Sequence, residues 1–318
     1  MVVIVPNKML YALDKYIPVY GRDRVLVARS IDGKVWERSV SPAINVGHDC
    51  KFDMAYWPFV WREGSLWKMV FSGSPNLRQP KRVFSLYTST SADLINWTEP
   101  EDLLVDDGYY MCPRVYHRAG EAQLLWSSGD NCKEVRTSCL SEAMVPGELV
   151  TIKSKTGLVD CVDFNICGDI LAGVTSSEAG NFIFARERVA NDWDVFAETA
   201  VKMAGYDFIN NPSLVQLGSE WLLFYRASKR TAWGSELWCI KSGDLETWSE
   251  PELALDYSGW KRKSLDGKSY SVFERVANYE LGGVGYPTVI EAEGILYAFY
   301  GGYWGLHLLM PYTYWFWR

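Results

Sequence analysis

Carboxylates recur at similar places ahead of apolar stretches of this sequence. Asp53 precedes Pro58, Asp107 precedes Pro113 and Asp207 precedes Pro212, in each case by five or six residues. Asp163 opens a related stretch, and Glu274 precedes the last one. Carboxyl groups that converge in one pocket repel each other, so that one holds a proton while another stays ionised. Such a set could supply a general acid and a general base.

Three members of this set are predicted to be catalytic. Asp53 is predicted as the general base, Glu274 as the general acid and Asp207 as the residue that orients them. The structural alternative is that each carboxylate accepts backbone N–H bonds where a loop enters a strand. The sequence leaves both alternatives open.

Polar and aromatic side chains near the acids are candidates for ligand binding. The predicted set is His48, Trp57, Asp107, Arg114, Asp163, Asn211, Arg226, Arg275 and Tyr286. An arginine can hold a carboxylate or a phosphate through two parallel bonds, or it can form an ion pair inside the fold. Because the chain has no CxxC or HExxH motif and no glycine-rich phosphate loop, we predict no metal site and no cofactor. A cation held by several converging carboxylates stays open as an alternative.

The elements that must position these residues are repeated hairpins. Each has an apolar strand, a turn at a glycine and a second apolar strand, a pattern typical of a β-hairpin. The copies are WPFVWREGSLWKMVFSG (57–73), CPRVYHRAGEAQLLWSSG (112–129), NPSLVQLGSEWLLFYRAS (211–228), YPTVIEAEGILYAFYGG (286–302) and the shorter DFNICGDILAGVTSS (163–177), which lacks the proline.

A second motif follows several hairpins and consists of a strand, Ser-x-Asp, a turn and a Trp. The copies are ARSIDGKVWERS (28–39), YTSTSADLINWTEP (87–100) and CIKSGDLETWSEP (239–251). Ser and Asp side chains can close a tight turn by accepting nearby backbone N–H bonds, and the Trp can then pack the outer strand down. We predict that these aspartates are structural and lie at an outer rim.

A hairpin and its outer pair of strands make a four-stranded antiparallel unit. Five such units with almost no helical periodicity predict an all-β fold, a five-bladed β-propeller that forms a single domain over residues 1–318. The outer motif at 28–39 has no hairpin before it, so we predict that residues 1–40 complete the last blade and close the ring. A six-bladed ring, with 1–45 as its own blade, is the alternative.

Composition narrows the class of protein and of partner. A net charge of −7 and a pI of about 5.2 disfavour nucleic acids and anionic membranes as partners. No apolar run is long enough for membrane insertion, and the first residues do not resemble a signal peptide. Seven cysteines without a regular framework predict reduced thiols and a cytoplasmic location. The oligomeric state stays open.

With these repeats in place, the sequence resembles the arabinanase/levansucrase/invertase superfamily of five-bladed propellers, which includes glycoside hydrolase families 32 and 43. The resemblance covers residues about 8 to 305 and is carried by VLVARSIDGKVW, FDMAYWPFVW, NPSLVQLGSEWLLFYRAS, SGDLETWSEP and GYPTVIEAEGILYAFYGGYWG. It looks closest to the branch whose members often lie among polysaccharide biosynthesis genes. It implies a carbohydrate or a sugar-containing small molecule as the partner.

The catalytic pattern of that superfamily is not matched. Its hydrolases carry an aspartate directly before the proline of an inner strand, or a glutamate two residues before it. The positions directly before proline hold Trp57, Cys112, Asn211 and Tyr286 here, and those one step earlier hold Tyr56, Met111, Asn210 and Gly285. No acid falls on the hydrolase pattern.

The sequence predicts two functions ahead of a third. The first is a glycosidase-like enzyme that acts on a glycan or glycoconjugate with inversion, using carboxylates in the central funnel as acid and base. The alternative is a non-catalytic carbohydrate-binding or accessory protein of polysaccharide biosynthesis. Aromatic side chains, which make up 15% of the residues, would form the walls of its binding site. A scaffold that binds other proteins is the third, and the repeated acids favour the first two over it.

Overall fold

The structure is a computed structural model, and it describes residues 23–46, 50–74, 83–106, 108–128, 134–142, 147–161, 163–176, 180–229, 234–257, 262–271 and 283–303. Within these ranges the chain forms 22 β-strands and a single 3-10 turn at Leu140–Glu142. None of the described residues belongs to a helix with the length and apolarity that a bilayer crossing requires.

The strands are numbered in chain order. They are β1 (Arg24–Ser30), β2 (Glu37–Arg38), β3 (Met54–Glu63), β4 (Leu66–Ser74), β5 (Ser85–Ser91), β6 (Glu101–Leu104), β7 (Met111–Arg118), β8 (Glu121–Ser128), β9 (Glu134–Cys139), β10 (Glu148–Leu149), β11 (Thr151–Ser154), β12 (Gly157–Leu158), β13 (Asp163–Cys167), β14 (Ile170–Ser176), β15 (Asn181–Val189), β16 (Asp192–Ala200), β17 (Phe208–Leu217), β18 (Glu220–Ser228), β19 (Ser235–Ser242), β20 (Glu252–Leu255), β21 (Gly283–Ala292) and β22 (Ile295–Tyr303).

Five sheets form the blades of a propeller. In the first, second and fourth blades, the strands β3–β6, β7–β10 and β17–β20 follow one another from the inside outward. The inner strands pack side by side in a closed order: β3 against β7, β7 against β13, β13 against β17, β17 against β21, and β21 against β3. This ring of five confirms the predicted five-bladed propeller over the six-bladed alternative.

The fifth blade joins the two ends of the described chain. Its order is β21, β22, β1, β2, and β1 pairs antiparallel with β22 from Arg24↔Gly302 to Ser30↔Leu296. The prediction that an N-terminal segment completes the last blade is therefore confirmed for β1 and β2. Residues 1–22 lie outside the described residues.

The third blade departs from the predicted four strands. Strands β13 to β16 are followed outward by β11 and β12, so this sheet has six strands. The pairing of β11 with β16 is parallel, and Lys153 Nζ lies 2.7 Å from Asp192 Oδ2 across it. The chain that leaves the second blade is long enough to add this edge ribbon before it enters the third.

The Ser-x-Asp motifs close turns at the rim, as predicted. In the first blade, Ser91 Oγ accepts N–H bonds from Asp93 and Leu94, and Asp93 Oδ1 accepts them from Ile95 and Asn96 at 2.9 and 2.7 Å. Equivalent bonds involve Ser30 with Asp32, and Ser242 with Asp244. The aspartates in these turns are structural.

The Trp of each rim turn reaches into the neighbouring blade. Its indole N–H donates to the carbonyl three residues back, for example Trp97 to Leu94 O at 3.2 Å. The indole rings lie against phenylalanines of the preceding blade, with centroid distances of 5.6 Å for Trp97–Phe299, 5.9 Å for Trp36–Phe224 and 5.3 Å for Trp248–Phe184. The motif therefore joins blades as well as closing its own turn.

Candidate functional site

The residue before the proline of each proline-containing inner strand has a left-handed backbone. The φ angles are 48° for Trp57, 50° for Cys112, 52° for Asn211 and 53° for Tyr286. A positive φ is uncommon outside glycine, and such residues cluster at functional sites. Four equivalent residues share this conformation, so the feature is built into the blade.

A β-bulge accompanies each of these residues. In the first blade Tyr56 pairs with Ser72 and Phe59 pairs with Val70, so that two residues, one of them Pro58, oppose a single partner. The same shift occurs at Met111/Arg114, Asn210/Ser213 and Gly285/Thr288. Proline has no N–H to give to the ladder, and a bulge re-aims the neighbouring side chain.

Asp163 supplies the corresponding residue of the third blade. Its strand has neither proline nor bulge, yet Oδ1 of Asp163 accepts a bond from the Cys112 thiol at 3.2 Å. Its Oδ2 accepts a bond from Nδ2 of Asn211. The carboxylate therefore lies between the pre-proline residues of the second and fourth blades. The third blade therefore does carry an acid at the level of the pre-proline residues. The sequence comparison with the hydrolases does not include it, because β13 has no proline.

Aromatic side chains occupy the other two positions. The rings of Trp57 and Tyr286 lie with centroids 4.6 Å apart, and Tyr56 packs against Tyr286 at 5.7 Å. We call the five residues, one from each blade, the axial ring: Trp57, Cys112, Asp163, Asn211 and Tyr286. It has an aromatic part and a polar part.

Side chains just past the prolines tie the inner strands together. Arg114 Nε donates to Phe164 O at 2.9 Å, Thr288 Oγ1 donates to Pro58 O at 2.5 Å, and Ser213 Oγ accepts the N–H of Val289 at 2.8 Å. Arg114 is 1% exposed and Ser213 0%, against 5% for both Asp163 and Asn211. These four side chains are therefore all buried.

Burial dominates the electrostatics around Asp163. It raises the pKa of the Asp163 carboxyl, while the charge of Arg114 and the bonds from Asn211 and Cys112 act in the opposite direction. Burial also lowers the pKa of Arg114, and the charges on Cys112 and Asp163 act against that. The two buried groups are each other's counter-charge. Arg114 donates through Nε and Nη1 to the carbonyls of Phe164 and Pro113.

The repeated offset of Asp53 and Asp207 corresponds to a repeated backbone position. Asp53 N donates to Ser74 O at 2.9 Å, and Asp207 N donates to Ser228 O at 3.0 Å, so both residues close the entrance of an inner hairpin. Asp53 is buried and Asp207 is exposed. Their predicted catalytic roles stay predictions.

The other predicted residues divide between the hairpins and the chain outside the described part. Half-buried Arg226 pairs with Asn210, beside the bulge of the fourth blade. His48, Asp107, Glu274 and Arg275 lie outside the described residues. Within the described ranges no group of three or more His, Cys, Asp or Glu side chains is placed to hold a metal ion.

Two buried amide atoms near Asp163 have unused hydrogen-bonding capacity. Asn211 Oδ1 and Asn165 Nδ2 make no hydrogen bond within the described part of the chain. Buried polar atoms are nearly always satisfied by protein, water or ligand. Cys112 and Asn165 are not among the ligand-binding residues predicted from the sequence, although Cys112 directly precedes the proline of its hairpin.

No family model matches this sequence, and no curated protein matches it. Among solved structures, one described as a glycoside hydrolase superposes with a TM-score of 0.53 at 12% identity, covering 93% of this chain and 91% of its own. A complex described as BT0996 with RGII superposes with a TM-score of 0.52 at 13% identity, covering 77% of this chain and 82% of its own. The chain shares its fold with both of these solved structures. Identity that low establishes the architecture and leaves the chemistry to the site.

Proposed function

We propose that the protein binds a carbohydrate at the axial ring. The observation that carries this proposal is the composition of the ring, in which Trp57 and Tyr286 adjoin Cys112, Asp163 and Asn211. Sugars present C–H faces to aromatic rings and hydroxyls to amides and carboxylates, so a site for them combines both kinds of side chain.

The charges favour a neutral sugar over an acidic one. Arg114 is buried beside Asp163, and its Nε and Nη1 donate to main-chain carbonyls. A ligand carboxylate at the ring would meet the charge of Asp163 and would find those two donors already engaged. Hydroxyl groups can both donate to Asp163 and accept from an amide, which suits the polar part of the ring.

Calorimetric titration with neutral and acidic saccharides tests this proposal. We expect a neutral saccharide to bind the wild type and to bind Tyr286→Ala about tenfold more weakly, because the aromatic contact is lost. Phe196→Ala removes an exposed ring of the outer strand β16 and is the matched control, with binding unchanged. Equal affinity in Tyr286→Ala and the wild type would place the ligand elsewhere.

Glycoside hydrolysis is the second candidate function. It is favoured by the burial of Asp163, which raises the pKa of this carboxyl, the direction that a general acid requires. In this version Asp53 keeps its predicted role as base and Asp207 orients the catalytic groups, while Asp163 and the predicted Glu274 are the two candidates for the acid. Release of reducing sugar from a glycan, lost in Asp53→Asn, is the observation that would raise hydrolysis above binding.

A further inference from the structure

We propose that the fourth blade carries a second binding site, formed by Tyr206, Glu236 and Trp238, for an organic ammonium ion. We call these three residues the ammonium corner. The site is separate from the axial ring and binds its ligand independently of the carbohydrate proposed there. Amino sugars and choline-type head groups both carry such an ammonium group, and titration with each distinguishes the two sources.

The ammonium corner lies where two strands of the fourth blade begin. Tyr206 comes two residues before β17, and Glu236 and Trp238 are the second and fourth residues of β19. The first residues of both strands pair with Ser228, so the strands begin at the same end of the blade. Alternate residues of a strand face the same side, so Glu236 and Trp238 lie on one face of the sheet.

Two aromatic rings meet at a carboxylate in this corner. The rings of Tyr206 and Trp238 have centroids 5.8 Å apart and planes at 74° to each other. The Tyr206 hydroxyl donates to Glu236 Oε2, and Trp238 Nε1 donates to the same oxygen at 3.2 Å. Burial and the bond to Glu236 raise the pKa of Tyr206 to about 12, so this hydroxyl stays a neutral donor. The polar ends of both rings are therefore fixed on the carboxylate.

The charge of Glu236 is not matched by a neighbouring base. Glu236 is half-buried, and both of its hydrogen bonds come from neutral donors and fall on Oε2. It forms no ion pair with any residue that the structure describes. Arg226 of the adjacent strand pairs with Leu237 and so lies on the other face of the sheet. Because a partly buried carboxylate is stabilised by a nearby positive charge, the corner favours a cation.

An ammonium group of the chain itself already lies over one of the rings. Lys229 Nζ is 5.4 Å from the centroid of the Tyr206 ring. The negative face of an aromatic ring attracts a cation in this position, and Trp and Tyr are effective rings for it. Lys229 is exposed, and its long side chain is flexible, so a ligand can displace its head group into water. The ring face is therefore suited to an ammonium ion.

The corner suits an organic cation better than a metal ion. Hard metal cations take several oxygen ligands, whereas this corner offers one carboxylate, and the described residues contain no group of three metal-ligating side chains. An organic ammonium ion presents its N–H or C–H groups to the ring faces while its charge meets the carboxylate. The net charge of −7 also favours a cationic ligand over an anionic one.

Ligand-observed NMR titration of the full chain at constant ionic strength tests the site. The probes are choline and glucosamine, which carry an ammonium group, and N-acetylglucosamine, which keeps the sugar ring without the charge. We expect choline or glucosamine to bind the wild type, and the tighter of the two identifies the source. Glu236→Gln keeps the shape and an acceptor oxygen but removes the charge, so it should bind that cation about tenfold more weakly.

A gain of affinity gives a second, independent readout. Lys229→Met keeps the stem of the exposed side chain but removes the competing ammonium group, so it should bind the same cation about threefold more tightly. Glu252→Gln is the matched control, because Glu252 lies on the outer strand β20 of the same blade and pairs with Lys34 and Lys241. Its affinity for the cation should equal that of the wild type.

Three results would overturn the ammonium corner. The first is that neither cation binds the wild type. The second is that Glu236→Gln, shown to be folded by circular dichroism, binds the cation as tightly as the wild type does. The third is that Tyr286→Ala loses the cation while Glu236→Gln keeps it, which would place the cation at the axial ring. Each of these results leaves the carbohydrate site to its own titration with neutral saccharides.

Discussion

Two aspartates of this chain, Asp32 and Asp163, lie in opposite environments. Asp32 accepts the N–H bonds of Val35 and Lys34 at the rim, and these bonds lower its pKa to about 2. Asp163 is buried between side chains of two neighbouring blades, and burial raises its pKa. The first carboxylate stabilises a turn through its charge, and the second is buried, where its charged form is disfavoured.

Acid should weaken the rim turns in a defined window. Because the folded-state pKa of Asp32 lies below its ordinary value of 3.8, the ionised turn contributes stability above pH 3.8 and loses it as the pH falls toward about 2. We expect the melting temperature of the wild type to drop across that window, and to drop less in Asp32→Asn, measured by thermal melts from pH 5 to pH 2.

The control for the acid experiment is an exposed aspartate of a hairpin turn. Asp169 is 77% exposed and pairs with an exposed arginine, so Asp169→Asn should follow the wild type at every pH. Identical pH dependence in Asp32→Asn and the wild type would mean that the bonds in the turn do not stabilise the fold.

At the scale of elements, neighbouring blades are joined near the axis and, at three junctions, also through the Trp of a rim turn. Near the axis, bonds such as Arg114 to Phe164 O connect inner strands. At the rim, the Trp of the turn packs on the preceding blade, as Trp248 does on Phe184. A rim turn whose Trp also fills the gap between two blades should contribute more to the free energy of unfolding than a turn without that contact.

Two substitutions of Trp248 separate its bond from its ring. Trp248→Phe keeps an aromatic ring against Phe184 but loses the N–H bond to Leu245 O, and should cost about 1 kcal/mol. Trp248→Ala also empties the space between the third and fourth blades and should cost about 3 kcal/mol or more. Chemical denaturation gives both free energies of unfolding. Equal losses would show that the contact between blades contributes nothing.

The elements that sequence predicts best are those with a local signal. Hairpins and rim turns follow from residues within a few positions of each other, so the Gly turns and the Ser-x-Asp motifs indicate them directly. The ribbon of β11 and β12 is not predicted, because its pairing with β16 joins distant residues without any motif. Asp163 is among the predicted binding residues. Its position beside the pre-proline residues could not be predicted, because it depends on how β13 packs between β7 and β17.

At the scale of the whole molecule, closure of the ring depends on the pairing of β1 with β22. That pairing runs over seven residue pairs and covers the edge of the last hairpin. Without β1, strand β22 would become an exposed strand edge, and such an edge promotes aggregation.

Deletion of residues 1–40 should therefore prevent normal folding. The truncated chain lacks β1 and β2, so we expect it to aggregate or to melt far below the full chain. Size-exclusion chromatography and thermal melting are the measurements. A monomer that melts like the full-length protein would show that the fifth blade does not need its N-terminal strands.

Two aspartates compete as the centre of the ligand site. The geometry of the axial ring favours Asp163, whereas the repeat of carboxylates in the sequence favours Asp53. Both can be replaced by asparagine, which keeps shape and removes charge. Asp163→Asn leaves the buried Arg114 without its counter-charge and should destabilise the fold by about 3 kcal/mol, so binding is compared at a temperature where circular dichroism shows both variants folded.

The most direct test is calorimetric titration of Asp163→Asn and Asp53→Asn with the neutral saccharide that the wild type binds. Loss of a charged hydrogen-bond partner should weaken binding by about tenfold or more in Asp163→Asn, while Asp53→Asn should stay within about twofold of the wild type. If instead Asp53→Asn loses binding and Asp163→Asn keeps it, the ligand lies among the carboxylates at the strand entrances and the axial ring is only part of the architecture.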